Sequence, residues 1–240
     1  MDVKEQDILG ERIAAHWYYV AKSNALLQFL DGCAAREVLD VGAGSGFFSR
    51  RLLCAGLCRS ATCVDIAYEA DRTEQHCGRP IAFVRSLERV TQDLILMMDV
   101  IEHVDDDVAF IRGYTDRMPQ GALVLVTVPA FQALWSGHDV FLEHKRRYTM
   151  AGLHRTLGQA GLEAIRSRYF FSALLPAVGA MRLWGRLRLA SSGVTPRSDL
   201  RLHAPWINAL LALIHEIERH TLFRVNRLAG LTIFCLARQK

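Results

Sequence analysis

Apolar residues follow two alternating patterns along the chain. Short continuous apolar runs, typical of strands buried on both faces, alternate with segments whose apolar residues recur at helical spacing. The runs predict seven strands, at 37–41, 61–66, 81–84, 93–100, 122–128, 162–171 and 231–237. The helical segments predict helices at 11–30, 47–55, 67–76, 104–118, 149–160, 172–189 and 204–223. Strands that alternate with helices predict an α/β fold in which helices cover both faces of a parallel sheet.

The composition supports a globular chain and adds one asymmetry. Of the 240 residues, 51% are hydrophobic and 22% are charged, as in an ordinary folded domain. After residue 145 the basic residues are nearly all arginine and acids are few. This skew fits an anionic partner, such as a phosphate-bearing substrate, a lipid surface or nucleic acid, and it equally fits a solubilising shell.

The cysteines and the first residues bear on the compartment. The six cysteines form no CxxC pair, and we expect small buried thiols in a reducing compartment. The first ten residues are polar and charged, and no apolar run reaches the roughly 18 residues of a membrane span. We expect a cytoplasmic protein.

The glycine-rich loop after the first strand carries the strongest chemical signal. Residues 38–46 read Val-Leu-Asp-Val-Gly-Ala-Gly-Ser-Gly, and alternate glycines let the backbone turn tightly and approach a ligand. A dinucleotide-binding loop needs its third glycine where Phe47 stands, and a phosphate-binding loop would need Gly-Lys-Ser/Thr. Asp40 would repel a pyrophosphate and suits a cofactor with sulfonium and ammonium groups. Asp65, at the end of the next strand, can accept hydrogen bonds from both ribose hydroxyls.

These segments resemble a known family. Residues 37–52 resemble motif I of the class I S-adenosylmethionine-dependent methyltransferases, and Asp65 matches their ribose-binding acid. Residues 93–106 resemble the segment around strand four in the small-molecule branch of types 11 and 12. The resemblance implies a Rossmann-like three-layer αβα sandwich with a mostly parallel seven-stranded sheet, an antiparallel last strand and a helical insertion before it. It implies S-adenosyl-L-methionine as cofactor and S-adenosyl-L-homocysteine as product.

We expect one methyltransferase domain over residues 1–240. It comprises an N-terminal helical cap (1–32), a cofactor-binding core (33–171), a helical insertion or lid (172–228) and the last strand (229–240). We expect Ser86 and Leu87 to contact the adenine, and the backbone near Asp99 to line the methionyl end. The full set of expected cofactor-binding residues is Asp40, Gly42, Ala43, Gly44, Gly46, Phe47, Asp65, Ile66, Ser86, Leu87, Asp99, Val100, His103, Trp17 and Tyr18.

The histidines after strands four and five are the candidate catalytic residues. Methyl transfer to a hydroxyl benefits from a base with a pKa near 7, which favours imidazole. We prefer His138, because Asp139 and Glu143 are near enough in sequence to orient it; the alternative is a hydrogen bond to a loop backbone. His103 fits a structural or cofactor-side role, and His144 a structural or substrate-shaping role. No clear ligand spacing indicates a metal, so none is expected.

A second group of residues is expected to bind the acceptor. It consists of Trp135, His138, Arg146, Arg147 and Tyr148. Arginines can clamp a carboxylate or phosphate, although a helix lead-in braced by salt bridges is an alternative. An aromatic face attracts a sulfonium, so we expect aromatic side chains to wall the pocket, namely Trp17, Tyr18, Tyr19 and Trp135; the alternative for Trp17 is a core position.

The short segments around these residues narrow the resemblance. Residues 16–18, 135–139 and 144–148 resemble a bacterial subgroup that carries Arg where Lys22 stands and whose acceptors are lipid-linked, saccharide or secondary-metabolite molecules. The insertion interleaves apolar residues with Arg182, Arg186 and Arg188. That mixture fits a lid, a homodimer face, a helix on an anionic membrane, or core packing.

The expected activity is methyl transfer to an oxygen, less readily to a nitrogen or carbon, of a small or lipid-like acceptor. Secondary-metabolite, lipid or saccharide biosynthesis is the expected setting. One alternative is an RNA or other nucleic-acid methyltransferase, but its usual Asn/Asp-Pro-Pro-aromatic motif is replaced here by residues 99–102, Asp-Val-Ile-Glu. A second alternative is a non-catalytic cofactor-binding scaffold.

Overall fold

The computed structural model describes residues 9–33, 36–188, 198 and 201–240, without the side chains of Glu11 and of residues 183–188. The helices are α1 (Trp17–Phe29), α2 (Phe47–Cys54), α3 (Asp107–Thr115), α4 (Gly137–Phe141), α5 (Met150–Gln159), α6 (Leu175–Arg188) and α7 (Pro205–His220). The strands are β1 (Glu37–Val41), β2 (Ser60–Val64), β3 (Arg72–His76), β4 (Arg79–Val84), β5 (Leu94–Met98), β6 (Leu123–Pro129), β7 (Leu162–Phe170) and β8 (Thr232–Gln239).

All eight strands form one sheet in the order β3-β4-β2-β1-β5-β6-β8-β7. The five strands from β4 to β6 are parallel to one another, whereas β8 runs antiparallel to both β6 and β7. Helices α6 and α7 are inserted before β8. This arrangement confirms the Rossmann-like αβα fold, the antiparallel last strand and the helical insertion, with eight strands in place of seven.

The eighth strand corrects one predicted helix. Residues 67–76 do not form a helix, because residues 72–76 form β3, which pairs antiparallel with β4 at the edge of the sheet. The two strands are joined by Cys77 and Gly78, both with positive φ (50° and 71°), as a tight two-residue hairpin turn requires. The residues of β3 are exposed or half-buried, as is typical of a polar edge strand, so this strand lacks the continuous apolar run by which the other strands were predicted.

The turn also corrects the expectation for the cysteines. Cys77 forms a disulfide with Cys54 at the end of α2, and both residues are exposed. Cys58, Cys63 and Cys235 are buried free thiols, as expected, and Cys33 is half-buried. The disulfide therefore fastens the β3–β4 turn to α2.

Two apolar clusters lie on opposite faces of the sheet, because side chains along a strand alternate between its faces. Val38 of β1 belongs to the cluster with α1 and α2, whereas Leu39 and Val41 belong to the cluster with α3 and α5. Every residue of β5 is buried, as is typical of a central strand covered on both sides. The sheet is thus the middle of three layers.

Helix α7 packs against α1 and completes the first layer. The side chain of Asn208 accepts a hydrogen bond from the Trp17 amide (2.8 Å) and donates one to the Ala15 carbonyl (2.9 Å). The buried carboxylate of Glu218 accepts hydrogen bonds from the Ser172 amide (2.6 Å) and from His215 (2.9 Å). The Asn208 contacts fix α7 to the N-terminal helical cap, and the Glu218 contacts join α7 to the start of the insertion.

Part of the insertion lies outside the residues that the structure describes. Residue 189 of the predicted helix 172–189, and the side chains of Arg186 and Arg188, lie outside the described part of the chain. Among the described helices, none combines the length and the apolarity that crossing a membrane would demand.

The turn between the insertion and β8 generates a stability prediction. A Cβ on Gly230 would press on the Phe170 carbonyl oxygen and lie 3.0 Å from the Phe170 amide nitrogen. Because these are backbone atoms of a paired strand, they cannot yield easily. We expect Gly230→Ala to lower the free energy of unfolding by roughly 1–3 kcal/mol in urea titrations.

The matched control is Gly113→Ala in α3, where an added Cβ meets no atom within 4 Å. Alanine favours a helix interior, so this variant should be neutral or up to about 1 kcal/mol more stable. Equal stability of Gly230→Ala and the unmodified protein would contradict the close approach.

Candidate functional site

The glycine-rich loop lies where strand order reverses, at the carboxyl end of β1 between β2 and β5. Gly42, Gly44 and Gly46 all have positive φ, at 65°, 53° and 70°. A Cβ on Gly42 would lie 2.9 Å from a methyl group of Val100. The loop therefore needs glycine both for its backbone conformation and for the close approach of the next loop.

Asp65 holds the loop from the end of β2. Its two carboxylate oxygens accept hydrogen bonds from the Gly44 amide (2.9 Å) and the Ala67 amide (3.0 Å). The Tyr68 hydroxyl donates to the Gly44 carbonyl (2.7 Å). The acid predicted to bind a ribose thus also positions the glycine loop.

A cavity of about 680 Å³ opens beside this loop, and we call it the cofactor cavity. Eight of the predicted cofactor-binding residues line it: Gly42, Asp65, Ile66, Ser86, Leu87, Asp99, Val100 and His103. Ala43, Gly44, Gly46 and Phe47 form the rest of the loop and the start of α2. Trp17 and Tyr18 line the neighbouring cavity instead.

Asp40 lies away from both cavities. It is buried on the same face of β1 as Val38, because residues two apart in a strand share a face. The Ser49 hydroxyl donates to its carboxylate (2.8 Å), and burial raises the pKa of Asp40 to about 6. The structure therefore places this acid beneath the loop, outside the lining of either cavity.

Asp99 lines both cavities and carries the densest set of contacts. It follows β5 with a positive φ of 54°. The ammonium of the fully buried Lys22 forms an ion pair with one carboxylate oxygen, and the Thr127 hydroxyl donates to the other (3.0 Å). Burial alone would raise the pKa of Asp99, but the charge and hydrogen bond of Lys22 lower it. Asp99 is therefore a carboxylate at the junction of the two cavities.

The second cavity, of about 250 Å³, lies on the other side of Asp99 and His103, and we call it the acceptor cavity. Its walls come from α1, the loops after β5 and β6, α6 and the start of β8. They include Trp17, Tyr18, Glu102, His138, His144, Arg147, Leu174, Val178, Met181, Arg182, Leu231 and Thr232. The lining is largely apolar and aromatic, with a cluster of imidazoles on one side.

Asp139 orients His144, which corrects the expectation that it orients His138. The buried Asp139 carboxylate accepts hydrogen bonds from His144 Nδ1 (2.9 Å), Arg147 Nε (2.6 Å) and the Ser136 amide (2.8 Å). Burial would raise the pKa of Asp139, but the hydrogen bonds from His144 and Arg147 hold it well below its usual range. His138 lines the acceptor cavity.

Two predicted acceptor-binding residues lie outside the acceptor cavity. Arg146 donates to the carbonyl oxygens of Val104 (3.0 Å) and Asp105 (2.6 Å), and the buried Tyr148 hydroxyl donates to Asp107 (2.7 Å). The hydrogen bonds of both side chains therefore stabilise the loop between β5 and α3. Their alternative interpretation, a helix lead-in braced by ion pairs, therefore describes them better.

Of the other predicted acceptor-binding residues, Trp135 also lies outside the acceptor cavity, whereas Arg147 belongs to its lining. Trp135 is half-buried and is not among the residues that line either cavity. Arg147 does line the acceptor cavity, while its guanidinium is held by Asp139 and donates to the Ala130 carbonyl (3.1 Å).

Glu102 and His103 form the wall beside the imidazoles. Glu102 is fully buried, and neither of its carboxylate oxygens has a hydrogen-bond partner among the described residues. Burial and the charge of Asp99 raise the pKa of Glu102 well above its usual range. Burial and the neighbouring His144 lower the pKa of His103 to about 4. The rings of His103 and His144 meet edge to face, with centroids 4.7 Å apart.

The sequence of residues 14–167 matches the family model described as a methyltransferase domain. The matched residues cover more than half of the chain. The chain belongs to the methyltransferase family. No curated protein matches its sequence significantly.

Solved structures with the same fold include several methyltransferases. A SAM-dependent methyltransferase from Archaeoglobus fulgidus has 18% identity over 99% of this chain and 98% of its own, with a TM-score of 0.54. A putative methyltransferase in complex with the Haloferax volcanii Trm112 activator has 14% identity over 95% and 92%, with a TM-score of 0.57. A putative sarcosine dimethylglycine methyltransferase from Galdieria sulphuraria has 14% identity over 92% and 86%, with a TM-score of 0.55. At these identities the likeness establishes the fold.

The cofactor of this methyltransferase is S-adenosylmethionine. The cofactor cavity fits it, because the Gly42 backbone forms a cradle that a Cβ would fill and Asp65 presents a carboxylate at its edge. The residues that would hold the cofactor are Asp65 at the ribose, Leu87 at the adenine and Asp99 near the methionyl end.

Sequence reasoning missed part of the methyltransferase site. Lys22 was noted only as a departure from the subgroup, yet it anchors Asp99. The missed residues of the cofactor cavity are Val41, Val64, Arg85, Val104, Phe110, Tyr114, Arg117, Leu142 and Glu143. Several of them follow strand ends, so their position beyond the carboxyl edge of the sheet was the available signal.

The buried Asp40 generates a pH prediction. The pKa of Asp40 is about 6 in the folded protein and 3.8 in the unfolded chain, so the folded state favours the protonated carboxyl. The stability that this difference contributes is fully present below pH 3.8 and is lost as the pH rises through 6. The loss is roughly 3 kcal/mol at neutral pH. We expect the unfolding free energy of Asp40→Asn, measured in urea, to fall less between pH 4.5 and 8 than that of the unmodified protein.

The control for Asp40→Asn is Ser49→Ala. It removes the hydroxyl that donates to the Asp40 carboxylate, so it should extend the loss of stability to higher pH. Parallel pH profiles for the unmodified protein and Asp40→Asn would show that Asp40 does not titrate in this range.

Proposed function

We propose that this methyltransferase transfers a methyl group from S-adenosylmethionine to an oxygen of a small or lipid-like, largely apolar acceptor. The observation that carries the proposal is the pair of cavities that share Asp99 and His103 as a common wall. One cavity fits the cofactor, and the other is apolar and aromatic with imidazoles at its side. Nitrogen and carbon acceptors remain less favoured alternatives.

The bound cofactor supplies a methyl carbon already activated by a sulfonium. The chain has to hold the acceptor in line with that carbon, exclude water and, for a hydroxyl, receive a proton. The side chains of Tyr18 and Met181 give the acceptor cavity its apolar surface. Since Tyr18 also faces Asp99 (3.5 Å), it lies at the junction where the two ligands would meet.

His138 is the proposed base for a hydroxyl acceptor. It lines the acceptor cavity, whereas the Nδ1 atom of His144 is already bonded to Asp139. A neutral imidazole can take the hydroxyl proton as the oxygen–carbon bond forms and the carbon–sulfur bond breaks. The other cavity imidazole, His103, lies on the cofactor side.

The exposed face of α7 supports a lipid-like acceptor. Trp206, Leu210, Leu213 and Ile217 follow one another along one side of the helix and are 49% to 69% exposed. An apolar stripe of this kind is typical of helices that lie on a membrane and of subunit interfaces. It supports peripheral membrane contact and a homodimer as alternative proposals for this surface.

The cofactor part of the proposal is tested by calorimetry with S-adenosylmethionine and Asp65→Ala. We expect roughly 10- to 100-fold weaker binding, because charge-assisted hydrogen bonds to the ribose are lost. Tyr68→Phe is the control, since it removes a hydrogen bond to Gly44 but no ribose partner. Absence of binding by the unmodified protein, or equal affinity of Asp65→Ala, would refute the assignment.

The catalytic part is tested with His138→Ala and release of S-adenosylhomocysteine over a panel of phenols and primary alcohols. We expect turnover to fall about 100-fold between pH 6 and 9. His154→Ala is the control, because His154 is exposed, forms a hydrogen bond with Ser167 (2.7 Å) and is not among the residues that line either cavity. An unchanged rate across this range would exclude His138 as the base. Cofactor binding without turnover of any acceptor would favour the scaffold alternative.

A further inference from the structure

A bound cation would stabilise the buried carboxylate of Glu102. Both oxygens are buried without a hydrogen-bond partner in the described chain, and Glu102 lines the acceptor cavity. Leaving a buried carboxylate unsatisfied is costly. The nearest ammonium, that of Lys22, is committed to Asp99. The structure thus contains a buried carboxyl group whose two oxygens have no hydrogen-bond partner among the described residues.

Two imidazoles lie beside this carboxylate. One ligand atom from each of Glu102, His103 and His144 can be chosen so that all three lie within 4.8 Å of one another. The amide of Lys145, next to His144, donates to the Glu102 carbonyl (2.7 Å), so the two loops are fastened together. A metal ion bound at about 2.1 Å from each atom would require the three side chains to close by roughly 1 Å.

The outer contact of His144 matches that of a metal-binding histidine. Metal-binding histidines usually hydrogen-bond a carboxylate or a backbone carbonyl through the ring nitrogen that does not bind the metal. His144 Nδ1 bonds Asp139 (2.9 Å), which leaves Nε2 for the cavity side. The ring of His144 is therefore held by an outer partner that leaves its other nitrogen available to a metal ion.

We propose that Glu102, His103 and His144 bind one divalent transition-metal ion in the wall of the acceptor cavity. Two imidazole nitrogens and one carboxylate suit Zn²⁺, Fe²⁺ or Co²⁺, and three protein ligands leave a position open towards the cavity. In that position the metal binds an oxygen of the acceptor and makes its hydroxyl more acidic. This last role rests on the proposed function, whereas metal binding itself does not.

The test is calorimetry with Zn²⁺ on untagged, metal-stripped protein, together with the visible absorption of the Co²⁺-loaded protein. We expect one ion per chain and the absorption bands of a nitrogen- and oxygen-ligated Co²⁺. Glu102→Gln and His144→Ala should each weaken Zn²⁺ binding at least tenfold. Asp139→Asn should weaken it about tenfold, because it removes only the outer partner of His144.

A second group of possible ligands sets the control. Cys54, His76 and Cys77 also lie together, although the two cysteines are joined as a disulfide. The titrations are therefore run without reductant, and His76→Ala should keep full Zn²⁺ affinity. Loss of binding in His76→Ala, unchanged binding in Glu102→Gln and His144→Ala, or no binding by the unmodified protein would overturn the proposal.

Folding of each variant is checked by circular dichroism and by S-adenosylmethionine titration. A variant that binds the cofactor normally but has lost Zn²⁺ supports the metal site directly. If the unmodified protein binds Zn²⁺ but not S-adenosylmethionine, the proposed function fails and the metal site stands. The reverse result removes only the metal site.

Discussion

The ion pair between Lys22 and Asp99 is the constraint on which the site depends. Lys22 is fully buried in α1, so its ammonium needs the Asp99 carboxylate as a partner. Asp99 follows β5 with positive φ, and the ion pair holds its side chain at this position. The Thr127 hydroxyl secures the second oxygen from β6. Removing one partner of such a pair leaves a buried charge and costs about 3–5 kcal/mol. The pair therefore fixes the N-terminal helix over the edge of the sheet at the junction of the two cavities.

The same ion pair explains the unusual state of Glu102. The buried ammonium of Lys22 forms an ion pair with Asp99. It acts on Glu102 only by longer-range electrostatic attraction. Glu102 is therefore either protonated or compensated by another cation. The proposed metal ion would supply that cation, because two imidazoles, one of them held by Asp139, offer nitrogen atoms within 4.8 Å of a Glu102 oxygen.

The predictable parts of the molecule were those with local signals. The parallel strands, the glycine loop and Asp65 follow from short stretches whose residues act on their own neighbours. We expected Asp40 beside the cofactor, but it lies beneath the loop. The alternation of side chains along β1, which sets Asp40 on the opposite face from Leu39, was the available signal. The partner of Asp139 was not readable, because it depends on a loop that turns at Glu143 with a positive φ of 60°. The contact between Lys22 and Asp99 joins residues 77 positions apart, and no local pattern encodes it.

The two cavities also differ in where their residues come from along the chain. The cofactor cavity is built within residues 14–167, which match the methyltransferase family. The acceptor cavity takes one wall from beyond that match, through Leu174, Val178, Met181 and Arg182, and Arg182 donates to the Leu134 carbonyl across the cavity rim. Since the cofactor cavity lies within the residues that match the family model, we expect acceptor selectivity to depend on the insertion, which lies outside that match. Changes in the insertion can reshape the acceptor cavity while α1, Lys22 and Asp99 keep the cofactor side unchanged.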